Sequence, residues 1–137
     1  MKTDDGGFRD KDWMYTWYDG STVDPGGITV ICGNTLGGNN CNTLNYVNAV
    51  NAAGLCGYPS GWGLPTTREL FSIVHNGTWN PAIDVNYFPN TVSHWYWSAD
   101  TYVPDPAFAW DVNFGPGGAG AAPKVNGFHV RLVRSGQ

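Results

Sequence analysis

The stretch Trp62 to Val74, WGLPTTRELFSIV, constrains the fold more than any other part of the chain. It reads as a short buried strand end that turns at Pro65 straight into a helix. Thr66 stands at the N-cap position and Glu69 three residues on, so each side chain can satisfy an orphan backbone N–H of the first turn. Leu70, Ile73 and Val74 then fall on one helical face at i, i+3, i+4 spacing. Gly77 is a natural stop. Trp62 and Leu64 alternate into the same core. This element is scaffold, and function is to be sought after it.

Taken in order, residues 1–12 carry a Gly-Gly pair and seven charged residues and read as an exposed arm. Trp13 to Tyr18, WMYTWY, is aromatic and β-prone, a strand. Asp19-Gly20 and Asp24-Pro25-Gly26-Gly27 are turn chemistry, Ile28 to Cys32 is a short apolar strand or extended segment, and Gly33 to Asn40 a loop. Asn42 or Thr43 caps a helix over Leu44 to Ala53, with Leu44, Val47 and Val50 on the buried stripe, Ala49 and Ala53 widening it, and Asn45, Asn48 and Asn51 opposite. Gly54 ends it. Leu55 to Gly61 is a connector in which Cys56 is expected to be buried.

Beyond Gly77 no helix is expected. Asn76-Gly77-Thr78 matches a glycosylation sequon. Pro81 to Pro89 is irregular, anchored by Tyr87 and Phe88. Ser93 to Ser98 and Phe108 to Phe114 are strands. In the second, Phe108, Trp110, Val112 and Phe114 face one way and Ala109, Asp111 and Asn113 the other. Gly115 to Pro123, GPGGAGAAP, is a loop with almost no side chain. Phe128 to Val133 is the last strand, with Val130 and Leu132 on one face and His129 and Arg131 on the other. Two helices come early and the antiparallel sheet mostly late, which is an α+β arrangement with long loops. At 137 residues the chain is one domain.

Several function classes fall away. The net charge is −4 and the seven basic residues are scattered, so the clustered basic footprint of a nucleic-acid binder is missing. No apolar run approaches the roughly 20 residues of a membrane span, so this segment does not insert into a bilayer. Met1-Lys-Thr-Asp-Asp is not a signal peptide, because no apolar region follows it. Only 13% of residues are charged, against roughly 25% in an ordinary soluble domain. With 15% aromatic residues this argues for a compact aromatic core rather than a long-helix protein.

Of the three cysteines, Cys41 and Cys56 would lie at opposite ends of the 43–53 helix, roughly 20 Å apart. A disulfide needs Cα atoms within about 7 Å, which removes that pair. Cys32–Cys41 closes the Gly/Asn loop and is the first choice. Cys32–Cys56 and three free thiols remain the alternatives.

No catalytic constellation emerges. His75, His94 and His129 have no metal-ligand spacing. Asp4, Asp5, Asp10 and Asp12 cluster near the start and are the one place a structural calcium could sit, although their spacing is not that of an EF-hand loop. No cofactor is otherwise implied. There is no GxSxG elbow, Cys56 has no base beside it, and Asp84, Asp100, Asp105 and Asp111 are loop or strand carboxylates of a common kind. The stretch from Asp100 to His129 stands apart: long loops and small residues between two firm strands, the usual setting for recognition.

Six motifs carry a resemblance: NAAGLCG (51–57), W-x-LPT-x-REL (62–70), NPAID-x-x-YFPNT (80–91), YWSA (96–99), AW-x-VNF (109–114) and VRLVRSGQ (130–137). In this order, and over most of the chain from residue 13, they resemble the Lcl C-terminal domain-like family, named after a bacterial collagen-like adhesin. The resemblance implies a C-type-lectin-like fold and an exported or cell-surface binding domain rather than an enzyme. Its partner would be a protein or carbohydrate on another cell or surface. The named adhesin's domain binds sulfated polysaccharides and is trimeric, which makes a homo-oligomer an expectation here. This chain departs from that case. It is acidic and its 115–123 segment is uncharged, whereas sulfates call for basic groups. Gly63 also stands where the family usually has arginine.

Related domains serve as variable proteins of diversity-generating retroelements, whose C-terminal segment is rewritten at template adenines, mostly in asparagine-type codons. Between Asp100 and His129 this chain keeps the family's Ala109-Trp110, Val112-Asn113-Phe114 and Lys124. Asp111, Gly115, Pro116, Ala119, Ala121, Ala122, Pro123, Val125 and Gly127 are unusual there. Each can arise from an asparagine codon by changing its two adenines alone, and Glu, Gln and Met, which cannot, are absent from the stretch.

The expected ligand-binding residues are therefore Asp100, Tyr102, Phe108, Asp111, Gly115, Pro116, Ala119, Ala121, Ala122, Val125, Asn126, Phe128 and His129. Two rivals stand beside this reading. One is an enzyme related to the formylglycine-generating oxygenases, which use a reactive cysteine pair late in the chain, whereas all three cysteines here precede residue 57. The other is an assembly module built on the 13–18 aromatic stretch.

Overall fold

The computed structural model describes residues 2–21, 23–25 and 29–135. Gly26, Gly27 and Ile28, on which a turn and a strand start were expected, lie outside the described residues, as does the Gly136-Gln137 end of the last motif. The fold is α+β, with two helices and antiparallel sheets.

Helix α1 spans Thr43–Ala53. Asn42 is its N-cap and accepts from the Asn45 backbone N–H at 2.8 Å. Gly54 takes the left-handed conformation that ends it (φ 65°). The buried face is Thr43, Tyr46 and Val50, not the Leu44/Val47/Val50 stripe. Tyr46 displaces the stripe because its ring meets Tyr15 at 4.5 Å. Asn51, expected on the solvent face, ties α1 to the next strand by bonding both the N–H and the carbonyl of Trp62.

That strand, β1, is Trp62–Gly63. Helix α2, Thr67–Phe71, follows with the capping box in place: Thr66 Oγ1 accepts from Glu69 N, and Glu69 Oε1 accepts from Thr66 N. The helix is shorter than its hydrophobic pattern. Past Phe71 the backbone tightens into i→i−3 bonds, Ile73 to Leu70 and Val74 to Phe71. Leu70 is buried, and Ile73 and Val74 still pack inward from the turn.

Strands β2 (Trp95–Thr101), β3 (Phe108–Asn113) and β4 (Gly118–Pro123) form one antiparallel sheet in that order, and β5 (Val133–Arg134) pairs with β1. The β2–β3 pairing carries an irregularity between Trp97 and Thr101. Four expectations change here. The 115–123 segment is not a loop, because its last six residues pair with β3 along their full length. Trp13 to Tyr18 forms only isolated bridges, Tyr15 to Phe128 and Thr16 to Asn42. The 128–133 segment is likewise bridged at Phe128 and His129, and its ladder begins only at Val133. Thr29–Cys32 is a 3₁₀ turn rather than a strand.

The sheet is buried on both faces. Trp97 and Ala109 pack into a cluster with Tyr15, Trp17, Tyr46, Val50, Phe128 and Val130. Tyr96 and Val112 pack on the other side with Leu70, Ile83 and Phe114. The large indoles enter this core with their N–H groups satisfied: Trp17 Nε1 donates to the Ser98 carbonyl at 2.8 Å and Trp97 Nε1 to the Tyr15 carbonyl at 2.7 Å. Tyr15 and Trp17 are therefore core, while Trp13, Met14 and Tyr18 of the same stretch stay half-buried.

Cys32 and Cys41 form a disulfide and are fully buried, while Cys56 is free and exposed rather than buried. Residues 2–12 close on themselves instead of forming a free arm. Thr3 pairs with Asp10, and Lys2 and Asp10 are buried while Asp4 to Gly7 form an exposed tip. In the 81–89 stretch Ala82 and Ile83 are the anchors with Phe88, and Tyr87 is exposed.

Candidate functional site

The late surface is built from the 102–107 turn, β4 and residues 124–126. The turn is closed by backbone bonds from Asp105 N to Tyr102 O and from Phe108 N to Asp105 O. Tyr102 braces it from within, its ring meeting Trp110 edge-on at 5.2 Å. β4 is the edge strand of its sheet and pairs with β3 in a register that sets Ala121 opposite Trp110 and Ala119 opposite Val112. Its side chains are no larger than alanine up to Pro123, so much of it stays open to solvent.

Lys124 fastens the three walls of a hollow beside β4. Its backbone N–H donates to the Ala107 carbonyl and its carbonyl accepts from Trp17 N. Its ammonium lies 4.1 Å from the centre of a Trp17 ring and donates to Thr101 Oγ1 at 3.0 Å. The hollow, about 270 Å³, is lined by Trp17, Val23, Pro25, Pro106, Ala107, Lys124 and Val125. Its walls are apolar and its rim is unusually exposed for valine: Val23 is 90% and Val125 63% accessible. An ammonium has three donors, so Lys124 keeps hydrogen-bonding capacity beyond Thr101. Such a hollow suits an apolar group carrying a hydrogen-bond acceptor.

The expected contact residues divide sharply. Pro116, Ala119, Val125 and Asn126 are exposed, and Tyr102, Phe108, Ala121 and Ala122 are half-buried along the same surface. Asp111, Gly115, Phe128 and His129 are buried. Asp111 sits opposite Trp97 in the β2–β3 register, and its outward orientation was read from an alternation that fails because the sheet has no solvent face there. Burial pushes its carboxyl up to about 6. Phe128 stacks on Trp95 and lies tilted against Trp97, and His129 meets the His94 ring at 5.2 Å. Burial first, then the neighbouring His94 and Lys2, bring His129 down to about 4. Asp100 is committed elsewhere, to the start of α2. The residues missed are Trp17, Val23, Pro25, Pro106, Ala107 and Lys124. Lys124 alone left a signal, as the one cation in an otherwise uncharged run.

The acidic N-terminal loop gathers carboxylate oxygens of Asp4, Asp10 and Asp12 within 4.8 Å. Asp5 is not among them. Asp10 already accepts from the N–H groups of Asp5, Gly6 and Asp12, which hold its carboxyl below the ordinary range. Lys11 pairs with Asp12 at 3.1 Å and Asp4 at 3.6 Å. The loop thus closes through its own donors.

A family model described as the Lcl C-terminal domain matches residues 6–134, and the chain belongs to that family. No curated protein and no solved structure matches it significantly.

Proposed function

We propose that this member of the Lcl C-terminal domain family is a non-enzymatic ligand-binding domain, adhesin-like or receptor-like. Its face would combine the Val23/Lys124/Val125 hollow with the open side of β4. The carrying observation is the pair of exposed valines rimming an apolar hollow whose cation is already fixed in place. Apolar surface gathered in one place and rimmed by polar groups is a mark of interaction sites. The overall design is read as C-type-lectin-like: the chain ends meet through Tyr15 and Phe128, and helices precede a late sheet. The ligand would be a protein or glycan on another surface, and the domain extracellular or at the cell surface. A buried disulfide supports an oxidising compartment, and no helix among the described residues is long and apolar enough to cross a membrane. Cys32 and Cys41 are joined to each other, which counts against an oxygenase of the formylglycine type with its reactive cysteine pair.

We further propose that the surface is diversified by a retroelement. Pro116, Ala119 and Val125, which the codon argument marks as changeable, are exposed. Binding is tested by probing glycan and surface-protein arrays with the parent and with Val125→Asp. The reading expects a parental signal that the variant loses at unchanged melting temperature. Equal signals from both would remove this face. Diversification is tested by sequencing the 3′ end of the gene across a population and its flanking DNA. Substitutions spread evenly over the chain, with no reverse transcriptase and no near-copy nearby, would end that part.

A further inference from the structure

A second, smaller cleft of about 30 Å³ is walled by Lys2, Arg9, Arg131, Tyr46, Trp62 and Leu55. The whole chain has only seven basic residues and a net charge of −4, yet three cations converge here. Lys2 is 4% exposed, and its ammonium has no hydrogen-bond partner. It lies over the Tyr46 ring, 5.3 Å from its centre. Arg131 lies over Phe88 at 5.2 Å and gives one guanidinium nitrogen to Thr91 Oγ1, but its buried Nε also lacks a partner.

No carboxylate of the described residues forms an ion pair with Lys2 or Arg131. Asp10 is near enough to act on Lys2 through space, but both its oxygens are occupied by backbone N–H groups. Burying charged donors without an acceptor is costly, and water or an anion normally supplies what the protein withholds.

We propose that this cleft binds one small anion, of chloride or carboxylate size, held by the Lys2 ammonium and the Arg131 Nε–H. The size follows from the volume. A water needs roughly 10–15 Å³ of such space, so the cleft admits a monatomic ion or the two oxygens of a carboxylate and no sugar-borne group. Burial and then Arg131 lower the Lys2 ammonium to about 8, so Lys2 remains charged at neutral pH and available to the anion. This site is separate from the Lys124 hollow and does not depend on what binds there.

The test follows the Arg131 Nε–H resonance by NMR at pH 7 while sodium formate, and separately sodium chloride, replaces sodium sulfate at constant ionic strength. A saturable shift in either titration, weakened at least tenfold in Lys2→Met, is expected. Saturation by formate alone assigns a carboxylate, and by chloride alone a halide. A shift that stays linear, or one that saturates equally in Lys2→Met, overturns the proposal. Leu55→Glu, which brings its own carboxylate to the cleft wall, gives an independent reading. It should abolish the response, and an unchanged saturable shift in that variant would place the ion elsewhere.

Discussion

Thr67 gives both its backbone N–H and its hydroxyl to Asp100 Oδ2, at 2.8 and 2.7 Å. The contact joins the first residue of α2 to β2 across 33 positions of sequence. It gives a residue expected as a ligand contact a structural role: a carboxylate satisfies orphan donors where the helix begins. Asp100→Ala should lower stability by about 1–2 kcal/mol, roughly 3–8 °C in Tm. Asp100→Asn, which keeps one acceptor, should recover part of this. Thermal melts that leave Asp100→Ala at the parental Tm would mean α2 is held by its own capping box alone.

Asp111 has a pH signature of opposite sign to an ordinary surface carboxylate. Its folded value is about 6 against 3.8 in the unfolded chain, so the folded state holds the extra proton between those limits. Stability falls as pH rises through that window, and the cost is complete above pH 6. Asp111→Asn removes a charge that burial opposes and should stabilise the protein at pH 7.5, by at most about 3 kcal/mol. Urea denaturation at pH 4 and 7.5 measures it. A variant less stable than the parent at pH 7.5 would show that the carboxylate has a favourable partner in solution.

His129 works the other way over much of the same range. Its folded value is about 4 against 6.5 unfolded, so the unfolded chain binds the extra proton and stability rises with pH between them. The cost of charging it is complete below pH 4. Between pH 4 and 6 the two groups offset, and the parent's stability should be nearly flat. Asp111→Asn should expose a rising slope in that window and His129→Asn a falling one, each read from urea midpoints at unit steps of pH. Parallel profiles for all three proteins would mean neither group is displaced by burial. The pairing of His129 with His94 also shows where sequence reading stops. Both histidines stand on separate stretches with no spacing between them, and only the bridge of Tyr96 to His129 brings the rings together.

The same contrast runs through the fold. The Thr66/Glu69 box, the Asn42 cap and the Gly54 stop were legible because each is settled within four residues of its own position. What failed depended on distant partners. The α1 stripe turned toward Tyr46 because Tyr15 is there, and Asp111 is buried because Trp97 lies opposite it. A run of glycine and alanine carries no face of its own, so β4 could be seen only once β3 was beside it. The hollow at Lys124 draws one wall from Trp17 and another from Pro106, 89 positions apart in the sequence (106 − 17), a neighbourhood no local pattern records.

The Cys32–Cys41 bridge closes a short loop, with a sequence separation of 9, around two fully buried sulfurs. Chain-entropy reasoning gives about 2–3 kcal/mol for a loop of this length. Replacing both cysteines by serine should cost at least that, because each hydroxyl would be buried in the aromatic cluster with the sulfur packing lost. Replacing both by alanine should come nearer the entropic figure. Denaturation midpoints with and without reductant check this, and a parent unmoved by reductant at its own Cm would show that the bridge adds nothing to the packed core.

A surface free to change must still be carried by a backbone that is not, and the GPGGAG run contains both kinds of position. Gly117 holds φ +88°, and a Cβ there would meet Val74 Cγ1 at 2.9 Å and Ala82 Cβ at 3.1 Å. Any side chain at 117 faces left-handed strain and pushes on the α2 turn and on Ala82 together. Two positions on, Ala119 is exposed on the edge strand. Gly117→Ala should therefore destabilise by about 1–3 kcal/mol, while Ala119→Asn and Pro116→Asn should stay within about 0.5 kcal/mol of the parent. The substitution with the smaller change in side-chain size is the harmful one, the reverse of what residue chemistry alone would suggest. Chemical denaturation of the three variants decides it. If Ala119→Asn costs as much as Gly117→Ala, β4 is part of the packed structure rather than a tolerant face, and the diversified-surface reading loses its physical basis.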